Sequence, residues 1–551
     1  MQCFIDQHNI GLFQINNGWD ERRRAAVSET SAGSTGESEE GLLSRKDSNT
    51  GWANSSDFLA STFAFTLSFH SLLSLPLIVL RHGGLAFLLL YGLLLVTIGC
   101  PLLLLEMFLG QYSSMSSGTI FHHLCPLLTG LGPALCIHAG ARAVLQLATL
   151  MWTAQGMYRV FTQMEVKETI FSQENFNEEH FSLANVGSMD MQLVLILGIV
   201  AAVTFLFIIG GIRFVGNICK FCVPACFLLM VTLTIRTCLA HGGSLGVSSF
   251  LSPDWSVFTQ PTAWVEACCH VIFSLNLGVG GVSTYASYNN YHYNIVRDCL
   301  IIIIAHLLWV LQSVVLTFSL LGAAHVNTES DLSHTQPIGM LGLAQMELGL
   351  AEIEFGWLWM GLLFILLLMV GLSSMFGFLQ VIITSIIYVR PHFRPFIPVI
   401  SLLLMCVIFL LSLLLTIPGG FQIHQVLHEY ISTVPVIIFS LLTVVATVLC
   451  HGTKFLMTDL SDMITIILPH WVTSHLSSIL YTFLPCSLLV SSPHFLDCLS
   501  YTCLSRSALC GQSTTCQHLP HHSPAWSFCL YCQYLLAWLA RPSRLVGQFP
   551  G

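Results

Sequence analysis

Ser68, His70, Ser71 and Ser74 sit with Pro76 in the stretch SFHSLLSLP, inside an apolar run long enough to cross a bilayer. Hydroxyls and an imidazole at that depth are tolerated only where they face a protein cavity, because lipid offers them no partner. A second polar break, Asn276-Leu277-Gly278-Val279-Gly280, interrupts the run from Ala263 to Tyr291. His270 and His306 also lie in apolar runs, and with His70 they could make a proton-coupling or metal cluster. The plainer alternative is three separate histidines in a cavity under relaxed constraint. Arg142 is an ionisable group at membrane depth, a functional residue by default. It could pair with a substrate carboxylate or replace a cation; otherwise its guanidinium snorkels or bonds carbonyls. No nucleophile–base set and no phosphate loop supports an enzyme, and nothing points to nucleic acid.

The elements that must position these residues are membrane helices. The chain has 551 residues, 54% hydrophobic and 9% charged, against about 25% charged in soluble domains. Apolar windows recur near 58–80, 85–109, 131–156, 191–211, 217–239, 264–288, 299–322, 357–389, 396–417, 433–450 and 472–493, with a weaker one near 526–540. The expected fold class is an all-α polytopic membrane protein of about 11–12 transmembrane helices, with the lipid bilayer as its solvent. The acidic excess (net charge −9) lies in loops and the N-terminal tail.

Residues 1–50 read as a disordered cytosolic tail without a cleavable signal. With that tail inside, eleven basic residues face the cytosol, among them Arg213, Lys220, Arg297 and Arg390, and four face outward: Arg81, Arg159, Lys167 and Arg236. That asymmetry obeys the positive-inside rule. Most of the 20 cysteines fall within spans, where cysteine is a small apolar packer. After about residue 475 the pattern becomes Cys/His/Ser-rich, so 476–551 is expected to be a divergent region with one or two weak spans. Cys510, Cys516, His518, His521, His522, Cys529 and Cys532 could compose a zinc site, although the spacing is loose and a poorly structured tail fits it as well.

Several segments carry a family resemblance: HGGLAFLLLY (82–91), GCPLLLLEMFLGQY (99–112), GGIRFVGNICKF (210–221), FSLNLGVGGVSTYASYN (273–289) followed by Arg297-Asp298, and GLSSMFG (371–377). IPGGFQIHQVLHEY and HGTKFLMTDLSDMI continue it. Together they resemble the neurotransmitter:sodium symporter family, and its orphan branch in particular. Paired interrupted helices mark the substrate site of secondary transporters, for which this family is itself a type example. The resemblance implies a transporter core over 51–475, built as two inverted five-helix repeats (about 52–240 and 263–450) with broken first and sixth helices. It also implies plasma-membrane residence and sodium-dependent symport of small amino-acid-like or neurotransmitter-like solutes. The alternative is a non-transporting scaffold or accessory protein derived from the same family. The oligomeric state stays open.

The same resemblance assigns the site. Ser68, His70, Arg142, Gln146, Phe273 and Ser274 would line the substrate cavity. Ser71, Ser274 and His306 correspond to the first sodium site, Ser373 and Ser374 to the second, and Tyr91 with Ser274 to the chloride site. Sodium, a hard cation, calls for oxygen ligands there. Several positions depart from the family pattern. Ser68 and His70 replace glycines, Ser71 and His306 replace sodium-ligating asparagines, and His270 and Val310 replace a glutamine and a serine near chloride. Gln146 stands where a tyrosine binds the substrate carboxylate. The outer-gate ion pair becomes Ser74 and His428, and the inner one Asn49 and Tyr388. Glu106 matches a glutamate expected to pair inside the bundle. The second sodium site is therefore expected to be the intact one, and the first helix to unwind less readily without its glycines.

Overall fold

A computed structural model of the chain describes residues 51–163, 189–324, 338–417, 419–432, 434–447 and 452–464. The expected tail over 1–50, Asn49, the candidate spans 472–493 and 526–540 and the candidate zinc ligands lie outside the described residues.

Among the described residues, all regular structure is helical. The first span is α1 (Ser55–Thr66), followed after a break by a π turn (His70–Ser74) that runs into α2 (Leu75–Arg81). The second is α3 (Leu85–Leu94), carried through a π turn (Leu95–Gly99) into α4 (Cys100–Ser113). Then come α5 (Ser117–Leu124), α6 (Leu131–Gln163), α7 (Met191–Ile208), α8 (Gly211–Cys238) and α9 (Gly243–Phe250). The sixth span is split into α10 (Pro261–Ser274) and α11 (Gly281–Ala286). The remainder is α12 (Ile295–Ala323), α13 (Ile338–Ala351), α14 (Gly356–Val389), α15 (Ile397–Ser412), α16 (Gly420–Ser432), α17 (Val434–Val445) and α18 (Thr453–Ile464).

Among the described residues, seven helices are long and apolar enough to cross a membrane, and the first span, bent by 51° at its break, makes an eighth. The shortfall from the expected 11–12 has identifiable causes. Two candidate spans lie outside the described residues, the 264–288 window folds as two half-helices, and α17 is only 12 residues long. Leu300, Ile304, Leu308 and Leu311 form an exposed stripe along α12, while Ile303, His306 and Val310 on its other face are buried. An apolar exterior around a mixed interior is the pattern lipid requires.

Close approach of the helices rests on small residues, as it does in membrane bundles generally. The Phe65 ring is held between α11 and α14: a Cβ on Gly377 would come within 2.1 Å of it, and one on Gly281 within 2.4 Å. A Cβ on Gly110 of α4 would lie 2.0 Å from the Ser283 carbonyl of α11. The first and sixth spans are therefore wedged tightly against the second and eighth.

At the N-terminal end of α1, fully buried Asp57 forms an ion pair with Lys220 of α8, and its Oδ2 accepts the Asn54 N–H at 3.0 Å. Gly216 seats this pair, since a Cβ there would stand 2.8 Å from the Asp57 Cβ. Nearby, Trp52 Nε1 donates to the Tyr285 carbonyl (3.1 Å) and Arg213 Nε to the Gly51 carbonyl (3.1 Å). Removing one partner of a buried pair strands the other charge. Lys220→Met is therefore expected to cost about 3 kcal/mol, the low end for such losses because Lys220 keeps 26% of its side chain in solvent. Thermal melting of detergent-purified protein should show that loss, and Asp57→Asn combined with Lys220→Met should recover most of it.

Candidate functional site

The two broken spans lie side by side, and their unwound residues bond each other. Only Leu67 and Ser68 leave the helix in the first span before the π turn begins. The span breaks over these two residues without glycines, and side chains take up the freed backbone groups. Ser374 Oγ donates to the Leu67 carbonyl at 3.1 Å, and Ser71 Oγ to the Ser68 carbonyl at 2.8 Å. Ser68 Oγ crosses to the Ser274 carbonyl of the sixth span at 3.1 Å. Ser313 Oγ of α12 donates to the Ser71 carbonyl at 3.0 Å. In the sixth span, Asn276 (φ 52°), Gly278 (φ 71°) and Gly280 (φ 85°) hold left-handed conformations that favour glycine and tolerate asparagine. Glu106 Oε1 accepts the Gly278 N–H at 2.7 Å, so the glutamate pairs inside the bundle with the broken helix itself.

Ser71, Ser274 and His306 fall within one connected network. Tyr91 is its hub, with its hydroxyl 2.7 Å from Ser274 Oγ and 3.2 Å from His306 Nε2. All four side chains are fully buried. His306 thus presents a nitrogen bonded to Tyr91 where the resemblance places an oxygen ligand, and Tyr91 and Ser274 bond each other where it places chloride. This donor set does not suit a hard cation, which takes oxygen ligands. Ser373 and Ser374 are buried on α14. Ser373 Oγ donates to the Met369 carbonyl of its own helix (2.6 Å), while Ser374 reaches across to Leu67. A carbonyl freed by the break and the Ser374 hydroxyl beside it are oxygen donors of the kind a hard cation takes.

The three histidines do not make one cluster. His70 Nε2 and His270 Nδ1 lie 2.5 Å apart, with Phe273 set edge-on to both rings, whereas His306 bonds Tyr91. One imidazole of the close pair must donate and the other accept, so the contact excludes two imidazolium ions. Among the described residues, no three His, Cys, Asp or Glu side chains are placed to share a metal. The trio is separated because His70 and His270 come from the two broken spans and meet each other, whereas His306 comes from α12 and bonds Tyr91 of α3.

Arg142 and Gln146 lie one turn apart on α6, and Arg142 reaches the break of the sixth span. Arg142 Nη2 donates to Asn276 Oδ1 at 3.1 Å, and its guanidinium lies over the Phe378 ring, 5.2 Å from the centroid. Gln146 Nε2 donates to the Gly371 carbonyl of α14 at 3.1 Å. Sequence reasoning missed Asn276, whose Nδ2 also donates to the Phe65 carbonyl at 2.8 Å, so that one side chain ties the third, sixth and first spans together. The available signal was an asparagine beside glycines in a membrane break. It also missed the contact of His82 with Glu266 at the α2–α10 end (2.7 Å), for which no local signal exists, the two being 184 residues apart.

Residues 49–180 and 161–503 match the profile of the Sodium:neurotransmitter symporter family, so the match runs past the last recognisable motifs at about 475. The chain belongs to that family, whose members are sodium-coupled transporters of small solutes across membranes. Sodium- and chloride-dependent taurine transporters from Canis lupus familiaris, Homo sapiens and Rattus norvegicus are each 26% identical to it over 426 residues, covering 69% of this chain and 67% of the relative.

Asn276→Ala removes two hydrogen bonds and leaves at φ 52° a residue without the polar side chain that lets asparagine tolerate that conformation, and is expected to destabilise by about 2–4 kcal/mol. Asn276→Gly relieves the backbone strain only. Its melting temperature should therefore fall between those of the wild type and the alanine variant.

Proposed function

We propose that this protein is a sodium-driven secondary transporter of small amino-acid-like solutes whose coupling runs through the second cation position alone. The observation that carries the reading is Ser374 Oγ at 3.1 Å from the Leu67 carbonyl, which puts a hydroxyl and a carbonyl oxygen together at the break of the first span, next in sequence to Ser373. The Ser274–Tyr91–His306 network speaks against coupling at the first sodium position and at the chloride position.

Sodium at about 100 times its dissociation constant stabilises a protein by about 2.7 kcal/mol. Purified protein is expected to melt higher in sodium than in an organic cation, and Ser373→Ala with Ser374→Ala should abolish the difference. Ser71→Ala and replacement of chloride by gluconate should leave it intact. The opposite order of sensitivity would overturn the division between the two positions. Loss of both gate pairs of the family, now Ser74 with His428 and Asn49 with Tyr388, favours a second reading, a scaffold that does not transport. Sodium-dependent stabilisation with no solute uptake in proteoliposomes, across a panel of amino acids and amino sulfonates, would select that reading.

The solute class follows from Arg142. Asn276 takes one of the five guanidinium N–H donors, and the group lies beside the unwound residues that form the family's substrate cavity. A carboxylate-bearing solute would accept a bidentate pair from the remaining fork. Arg142→Leu is expected to weaken binding on the order of tenfold or more. It should also raise membrane expression, since a mid-helix arginine costs about 2.5–3.5 kcal/mol on insertion. Unchanged binding with lowered expression would make Arg142 a structural link to Asn276 instead.

A further inference from the structure

One polar contact between the second and seventh spans has no part in the cavity. Cys100, the first residue of α4, places its Sγ 3.9 Å from Cys299 Sγ of α12, and Cys299 Sγ is also 3.6 Å from the Cys100 carbonyl. Neither cysteine is in a disulfide. The Cys100 N–H bonds the Leu95 carbonyl, closing the π turn that rotates α4 relative to α3. Such turns are frequent at functional sites, where one extra residue re-aims those that follow. Gly99 holds the register, because a Cβ there would stand 2.9 Å from Val271. Cys299 is buried and Cys100 half-buried. Next to Cys299 stand Asp298 and the exposed Arg297, at the end of the bundle where Tyr293 bonds the Ser55 carbonyl of α1. Cys299 lies in the second turn of α12, which begins at Ile295.

We propose that Cys100 and Cys299 form a reversible dithiol–disulfide site, oxidised by a hydroperoxide, that joins α4 to α12. The Cys100 sulfur attacks a peroxide oxygen. The O–O bond breaks and hydroxide leaves with the thiol proton as water, which gives the sulfenic acid. The Cys299 sulfur then attacks the Cys100 sulfur, the S–O bond breaks, and hydroxide leaves with the Cys299 proton as a second water. Two thiols and one hydrogen peroxide thus give one disulfide and two waters, with two electrons passing from sulfur to oxygen. Dithiothreitol reverses the step by thiol–disulfide exchange. The bond would tie one end of the helix seam whose other end is the Tyr91–His306 contact, nine residues along the second span and seven along the seventh. Disulfides of this sort in reducing compartments are transient and redox-sensing.

The test is a cysteine map of the purified full-length chain before and after hydrogen peroxide, by differential alkylation and mass spectrometry. The expected result is a Cys100–Cys299 linked peptide that appears with peroxide, vanishes with dithiothreitol and raises the melting temperature by a few degrees. In Cys299→Ser, Cys100 should instead be trapped as a sulfenic acid by dimedone. The proposal is overturned if Cys299 alkylates equally with and without peroxide in the wild type, or if Cys100 links to a different cysteine. The wild-type map decides this even if the variant fails to fold.

Discussion

A membrane helix that stops bonding its own backbone leaves carbonyls and amides that lipid cannot satisfy, and two helices do so here side by side. The rest of the interior is arranged around that constraint. The Phe65 carbonyl is met by Asn276, the Leu67 carbonyl by Ser374, the Ser274 carbonyl by Ser68 and the Gly278 amide by Glu106. Each partner comes from a different span, so the two breaks draw the second and eighth spans inward. Phe65 in its glycine cradle is the steric counterpart of the same arrangement.

Those backbone oxygens are what a sodium-coupled transporter needs for its cation. They are not equally available here. Around Ser274, hydroxyl, phenol and imidazole bond one another in a closed, fully buried set, and opening it would expose several polar groups at low dielectric. Around Leu67 the partner is the Ser374 hydroxyl, which can turn and offer an oxygen lone pair to an ion without leaving a nitrogen behind. The contrast between the two positions is one of ligand chemistry: an imidazole nitrogen of His306 stands in the first network, whereas hydroxyl and carbonyl oxygens meet at Leu67.

The ends of the bundle follow a related logic. Polar side-chain contacts hold both ends of the first span. Asp57 meets Lys220 at one end and His82 meets Glu266 at the other. Partner and seat come together: Gly216 makes room for the Asp57 side chain, so the ion pair and the close approach of α1 to α8 depend on each other.

Hydropathy, span boundaries and the two interruptions were legible in the sequence, because they depend on residue types within about 20 positions of each other. The motifs from HGGLAFLLLY to HGTKFLMTDLSDMI were enough to place the chain in its family. The arrangement of the site was not legible. Hydropathy marks His70, His270 and His306 alike, but packing paired the first two and sent the third to Tyr91. Arg142 was visible as a charge at membrane depth, while its partner Asn276 lies 134 residues away and faces it only once the sixth span has broken. Lys220 looked like an ordinary inner-face cation until α1 brought a buried aspartate against it. Local sequence sets which segments are helical and which groups need partners. Which partner each group finds depends on contacts between residues one to three hundred positions apart, and only the packed bundle determines those.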